Sequence, residues 1–379
     1  MLGRAILALA ALACLPPPAL AQVPAVTTAE PGGRIAIAPQ FDLVGLFHDG
    51  VAPAKQGDRW GLIDRDGTWH VAPVFEDMRG GSDGRFGARG VWGWGALDRD
   101  GNWWVPPEHE DIGRFQNGFA PVQIGGKWGY VRPNGRMERH FQFLEIAGRE
   151  GDTIVARDDQ GWAVFDPHYF EGRQALVIYD EVTDTVVPAI RAFPPAERRA
   201  VVRYPAGETL AFLPSPILAP PLGREDHGLF HSVKRMSDGF APAAKQPGRW
   251  GFLHRDGTYH WEGRFEDARS FSEGFAPVKI DGLWGYIDGL GRVVVEPEWD
   301  AAFGFSEGFA LVRKDGKRGF LRLDPDTGIS LWIEPRFEDA FRMSEGFAPV
   351  KKGGLWGFVA ADRLPPRDAR TATTVLPSE

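Results

Sequence analysis

Cysteine occurs once in 379 residues, at Cys14. One thiol excludes an internal disulfide framework and any Cys-based zinc site. Basic residues are outnumbered, 43 Lys+Arg to 51 Asp+Glu, and the formal charge of -8 argues against the basic face a nucleic-acid binder needs to displace counterions. Apart from the N-terminus, no apolar run approaches the roughly 20 residues of a membrane span, so none is expected. Sustained helical periodicity is also missing. What is abundant is Gly (48) and Pro (31) together with 14 Trp and 26 Phe. A disordered tract would be poor in aromatics and collagen would repeat every third residue, so neither fits.

Met1 to Ala21 reads as a secretory signal peptide. Arg4 precedes an apolar run from Ala5 to Leu15, and Ala19-Leu20-Ala21 is a small-x-small cleavage site before Gln22. Cys14 lies inside this segment, and Ala11-Leu12-Ala13-Cys14 is a poor lipoprotein box. The expectation is an exported chain, periplasmic or extracellular, without cysteine once processed.

A 34-residue step organises the remainder. It separates Trp60-Gly61, Trp94-Gly95, Trp128-Gly129 and the worn Trp162-Ala163, and again Trp250-Gly251, Trp284-Gly285 and the worn Arg318-Gly319. Trp356-Gly357 follows after 38 residues, the excess falling near Asp324 to Gly328. Gly-Phe-Ala-Pro-Val, beginning at Gly118, Gly274 and Gly346, keeps phase with its Trp ten residues later. A fixed period marks modular architecture.

These residues resemble the WG-repeat family, and Glu273 to Asp300 follows its pattern nearly throughout. The resemblance implies an all-β array of about eight units. Each unit reads as a three-stranded meander: Phe275 to Lys279, a turn at Asp281-Gly282, Leu283 to Asp288, then Val293 to Val295. Counting outward from the turn places Lys279 opposite Trp284, Lys55 opposite Trp60, Gln123 opposite Trp128, Arg157 opposite Trp162 and Lys351 opposite Trp356. A cation over an exposed indole is worth about 0.5–1 kcal/mol. Burying the indole is worth about 4–6 kcal/mol as an upper limit. Each Trp is therefore a packing residue first. Both faces of a unit are apolar, so units must stack. An elongated solenoid is favoured over a propeller-like ring, three strands being too few for a usual blade. The acidic column Glu76, Glu110, Glu266, Asp300 and Glu338 is expected either to pair with cations of adjoining units or to lie solvated.

The chain divides into the signal peptide (1–21), a first four-copy block (41–166), a non-repetitive β spacer (167–227), a second four-copy block (228–362) and a loose tail (363–379). Copies one and five are alike through Arg65-Asp66-Gly67-Thr68 and Arg255-Asp256-Gly257-Thr258, which suggests a duplicated block.

No catalytic, cofactor-binding or metal site emerges. Gly80-Gly81-Ser82-Asp83-Gly84 matches a nucleophile elbow in letters but lacks the strand and helix around it. Asp64-Arg65-Asp66-Gly67 opens like a calcium loop yet lacks the downstream ligands. His70 and His260 share one repeat position and are expected beside aromatics; His227 and His231 would need a helix to converge. The expected function is a non-catalytic scaffold binding a protein or cell-envelope partner over an extended surface. Its candidate surface is Lys55, Trp69, Trp103, Trp104, Tyr259, Trp261, Lys279 and Lys351. One alternative is glycan or peptidoglycan binding by the aromatic plates. Another is an enzyme housed in the spacer near His168, Asp180 or Glu181.

Overall fold

Positive φ at both central residues of a two-residue turn aligns the flanking strands, and Asp281 (φ 49°) with Gly282 (φ 82°) meets that condition. The register then follows. In a computed structural model of the chain, Lys279 faces Trp284 and Val278 faces Gly285. Lys55 faces Trp60, Gln123 faces Trp128, Arg157 faces Trp162 and Lys351 faces Trp356, each as counted from its turn. The structure describes residues 33–361 apart from 116–118, 133–136, 151–152, 166–172, 176, 181–184, 193–198, 205–206, 213–229, 235, 255–257 and 325–327. The signal peptide with Cys14, the tail, His168, Glu181 and His227 lie outside the described residues.

The described residues form nine antiparallel sheets of four strands, with no helix among them. After β1 (Arg34–Phe41), the first sheet holds β2 (Leu43–Val44), β3 (Val51–Gln56), β4 (Arg59–Asp64) and β5 (Trp69–Phe75). The three-stranded unit is thus corrected to four, the addition here being a strand of two residues. In the second sheet that strand is Asp77–Met78, paired with Arg89 and Ala88. A single residue, Glu76, separates it from β5, so one extended run serves two consecutive sheets. An aspartate marks the changeover: Asp77, Asp111, Asp267 and Asp339 each accept a hydrogen bond from the next residue's N–H, at 2.7–2.8 Å.

Glycine after Trp is required by a bulge. The pairing jumps from Trp284↔Trp299 to Tyr286↔Val295, and a Cβ on Gly285 would stand 2.5 Å from the Val295 carbonyl oxygen. Ala163 is tolerated because its partner strand, Arg173–Ala175, pairs without such a jump.

The described part of the spacer contributes strands to the array. Arg173–Ala175 completes the fourth sheet, and Val177–Asp180, Thr185–Ala192, Arg199–Tyr204 and Gly207–Phe212 form the fifth. The fifth touches both the fourth and the sixth.

The two ends of the array meet. β1 pairs with Leu355–Ala360 as fourth strand of the ninth sheet, beside Phe347–Lys352 and Asp339–Ala340. Ile35-Ala36-Ile37-Ala38-Pro39-Gln40-Phe41 has the form of the closing third of a unit, like Val293 to Trp299, and the last unit lacks that third. Ile37, Phe41 and Phe47 pack with Trp356 and Phe358 in one core. Equivalent cores lie between the first and second sheets (Leu62, Phe75, Phe86, Leu97) and between the seventh and eighth (Trp284, Tyr286, Phe305, Leu321).

Candidate functional site: the joints between sheets

In the second, sixth and seventh sheets the residue just after the short strand reaches over the indole of its own sheet. Arg79 lies 4.3 Å from the Trp94 ring, Lys234 4.1 Å from Trp250 and Arg269 5.0 Å from Trp284. In the ninth sheet the same position is Phe341, stacked on Trp356 at 4.8 Å and 6°. The cations found over the indoles therefore come from a position other than the cross-strand partner. Trp94, Trp162, Trp284 and Trp356 are buried, and Trp60, Trp128 and Trp250 half-buried, in keeping with a packing role.

The same cations bridge to the next sheet. Arg79 pairs with Asp111 at 2.6 Å and donates to the Ile112 carbonyl. Lys234 pairs with Asp267 at 2.7 Å and donates to the Ala268 carbonyl at 2.7 Å. An inter-unit ion-pair ladder thus exists, but its carboxylates stand one residue after the expected column. In the column itself Glu110, Glu266 and Glu338 cap turns, while Glu76 lies 3.6 Å from Arg89 of its own sheet. Both Glu110 oxygens accept the Gly125 and Gly126 N–H groups at 2.8 and 2.9 Å, which holds its carboxyl below the usual range. Glu338 does the same for Gly353 and Gly354. A one-residue step along a strand turns a side chain to the other face, which separates the two roles.

A second ladder runs through the Ser-Glu-Gly turns. Ser272 donates to the Phe305 carbonyl at 2.5 Å and Ser306 to the Met343 carbonyl at 3.0 Å. Ser344 donates to the Phe47 carbonyl at 2.8 Å. Carboxylates follow the same path. Glu273 accepts from the N–H groups of Glu307 and Gly308, and Glu307 from those of Glu345 and Gly346. Glu345 accepts from Asp49 and Gly50 at 2.7 and 2.9 Å. The contact between last and first sheets repeats the seventh-to-eighth and eighth-to-ninth contacts atom for atom. Burial acts to raise the Glu345 pKa, but hydrogen bonds from Arg65, Gly50 and Asp49 outweigh it and leave the carboxyl lowered.

The candidate surface residues are placed as follows. Lys55, Lys279 and Lys351 are half-buried in strands. Trp69 packs edge-on against Phe41 at 5.6 Å, and Trp104 against Phe115 at 5.4 Å. Trp261 stacks on Phe240 at 5.6 Å. Tyr259 meets Phe230 at 4.9 Å and donates to the Ala243 carbonyl at 2.9 Å; burial, helped by Glu262, raises its pKa to about 12. Trp103 is the most open of the five at 39% exposure, with one edge on Phe75. These aromatics lie in three sheets, Trp69 in the first, Trp103 and Trp104 in one strand of the second, and Tyr259 and Trp261 in one strand of the sixth. Sequence reasoning missed the most exposed apolar pair, Val91 (84%) and Trp92 (85%), at a hairpin tip. The signal was available, because the other WG copies carry polar, glycine or proline residues at that turn.

The motif look-alikes are turns. Ser82 donates to the Phe115 carbonyl at 2.7 Å, and Ser82 bridges Arg85 across the turn. Asp66 accepts from the Thr68 N–H and hydroxyl. His260 lies near Phe240 and Trp261 as expected. His70 instead sits between Asp64 (3.2 Å) and Asp100 (3.1 Å). Among the described residues no three His, Cys, Asp or Glu side chains group as a metal site, and no helix is long and apolar enough to cross a membrane.

The fold and its joints define an all-β repeat protein. The family described as "WG containing repeat" matches residues 31–60, 60–89, 94–128, 250–284, 284–317 and 330–356. The chain belongs to the WG-repeat family. No curated protein matches it. Among solved structures it is similar to a eukaryotic initiation factor, with TM-score 0.49 and 9% identity over 87% of this chain and 93% of that one. It is also similar to PorZ of Porphyromonas gingivalis, described as a surface component of the type-IX secretion system, with TM-score 0.35 and 9% identity over 84% of this chain and 45% of that one. The extracellular domain of the putative one component system BT4673 from B. thetaiotaomicron gives TM-score 0.35 and 12% identity over 86% of this chain and 54% of that one. No function follows from similarities at this level.

Proposed function

We propose that the nine sheets close into a propeller-like ring and that this ring is an exported, non-catalytic scaffold presenting an extended surface to a protein or cell-envelope partner. The observation that carries closure is the ninth-to-first joint. Ser344 to Phe47 and Glu345 to Asp49 and Gly50 repeat the contacts of Ser306 and Glu307 one unit earlier. An open solenoid has two ends, each with an uncovered apolar face. Closure covers both.

The scaffold reading rests on where the polar side chains go. Repeated carboxylates, serines and cations cap turns and bridge sheets, and Val91 and Trp92 project beyond them as an apolar contact point. Large exposed apolar groups of this kind are enriched at protein interfaces. The glycan alternative needs free ring faces; Trp261 stacks on Phe240, and Arg85 and Lys245 lie over the rings of Trp104 and Tyr259. For the spacer-enzyme alternative, His168 and Glu181 lie outside the described residues.

Capture from periplasm or culture supernatant tests the reading, using the wild-type chain beside Trp92→Ser. A partner retained by the wild type and lost by the variant supports it. Turnover of a substrate that is abolished by substitutions in one unit contradicts it. Export is tested by sequencing the mature N-terminus, expected to begin at Gln22.

A further inference from the structure

Internal repetition provides a reference against which each unit can be compared. Immediately after the turn glycine, later units carry Phe119, Phe240, Phe275, Phe309 and Phe347. Several of those rings pack on an aromatic, as Phe309 does on Trp332 at 4.5 Å and Phe240 on Trp261 at 5.6 Å. The second unit has Arg85 there, and its guanidinium takes the ring's place over Trp104 at 5.3 Å. The first unit has the smaller Val51. Arg65 and Arg99, one period apart, occupy the same position of the next turn in those two units. Arg85 meets these two arginines at one place, a basin of about 710 Å³ where the first, second and ninth sheets adjoin, lined by Arg65, Arg85, Arg99, Asp49 and Glu345.

We infer that this basin binds a small organic anion carrying several carboxylate or phosphate oxygens. The contacts of each arginine use only part of its donor fork, the ring contacts of Arg65 and Arg85 engaging the guanidinium face. Arg65 pairs with Glu345 at 2.9 Å, Arg85 donates to the Gly84 carbonyl at 2.9 Å, and Arg99 lies 3.6 Å from Asp100. A guanidinium has five N–H donors in a planar fork matched to carboxylate and phosphate, so donors remain for a ligand. Of the two lining carboxylates, Glu345 is already occupied by Arg65 and two backbone N–H groups. The Asp100 carboxylate also bonds His70, and Arg85 acts on Asp98. Three guanidinium groups thus gather in a chain of formal charge -8.

Calorimetric titration of the full chain with citrate and with pyrophosphate at low ionic strength tests this, the two arms separating carboxylate from phosphate ligands. The expected result is saturable binding of at least one probe with Kd below about 1 mM. Arg85→Phe restores the residue used by five other units and should fold normally. It is expected to weaken binding about tenfold or more, at an unchanged melting temperature. Arg99→Gln, in an exposed turn, gives the same reading should Arg85→Phe fail to fold. Absence of saturable binding below about 1 mM for both probes overturns the inference. So does unchanged affinity in the Arg85→Phe/Arg99→Gln double variant.

Discussion

Arg318 and Phe303 exchange the roles that Trp and cation hold in other units. Arg318 occupies the Trp position and Phe303 the position of Arg269, with the guanidinium 5.9 Å from the Phe303 ring. Arg318 still reaches Asp339 at 2.7 Å and the Ala340 carbonyl at 2.7 Å. Arg79 makes the same two contacts with Asp111 and Ile112. The worn copy is therefore a compensated one, with ring, cation and bridge all retained.

Arg318→Ala removes the ring contact, the ion pair and the backbone hydrogen bond at once. Because the pair is only partly buried, a loss of about 1–2 kcal/mol is expected, read from urea denaturation. The double exchange Arg318→Trp with Phe303→Arg should recover most of it. Failure to recover shows that the two positions are not interchangeable.

Gly285→Ala pushes a Cβ against the Val295 carbonyl, a backbone atom that cannot swing aside. The expected cost is about 2–3 kcal/mol. Ala163→Gly, at the equivalent site without a bulge, should change stability by about 1 kcal/mol or less. Equal effects from the two substitutions would remove the bulge as the reason for the Trp-Gly motif.

Glu345 carries a pH signature. Its folded pKa is lowered below the ordinary value of 4.5, so its stabilising contribution is complete above that value. That contribution is lost as pH falls through the lower, folded value. Glu345→Gln is therefore expected to melt below wild type at pH 7 and to converge with it in acid, under pH 4 or so. A difference that persists unchanged in acid would assign the effect to shape rather than charge.

Glu338 and Glu110 cap glycine turns from exposed positions. Glu338→Ala should raise the exchange rates of the Gly353 and Gly354 amides while leaving the core amides unchanged. Uniform loss of protection would instead indicate a global role.

The period, the turns and the cross-strand register were legible because each rests on short-range chemistry. Asp281-Gly282 dictates a turn, and the turn dictates that Lys279 meets Trp284. The fourth strand was not legible, since Asp77–Met78 is too short for any alternation pattern. Nor was the ladder through Asp111 and Asp267, which the eye assigns to the neighbouring Glu110 and Glu266. The orphaned third at Ile35 to Phe41 was readable in principle but lacks the Trp that draws attention to other units. Arg85 departs in sequence from the Phe of five other units, but only the fold brings it beside Arg65 and Arg99.

Closure is the central claim, and small-angle scattering on the processed chain tests it most directly. A closed ring of this length has a radius of gyration of about 20 Å. Nine sheets stacked about 10 Å apart in a rod give more than about 25 Å. The account predicts the smaller value with a disc-shaped distance distribution. The larger value, with a long tail of distances near 90 Å or so, would contradict it.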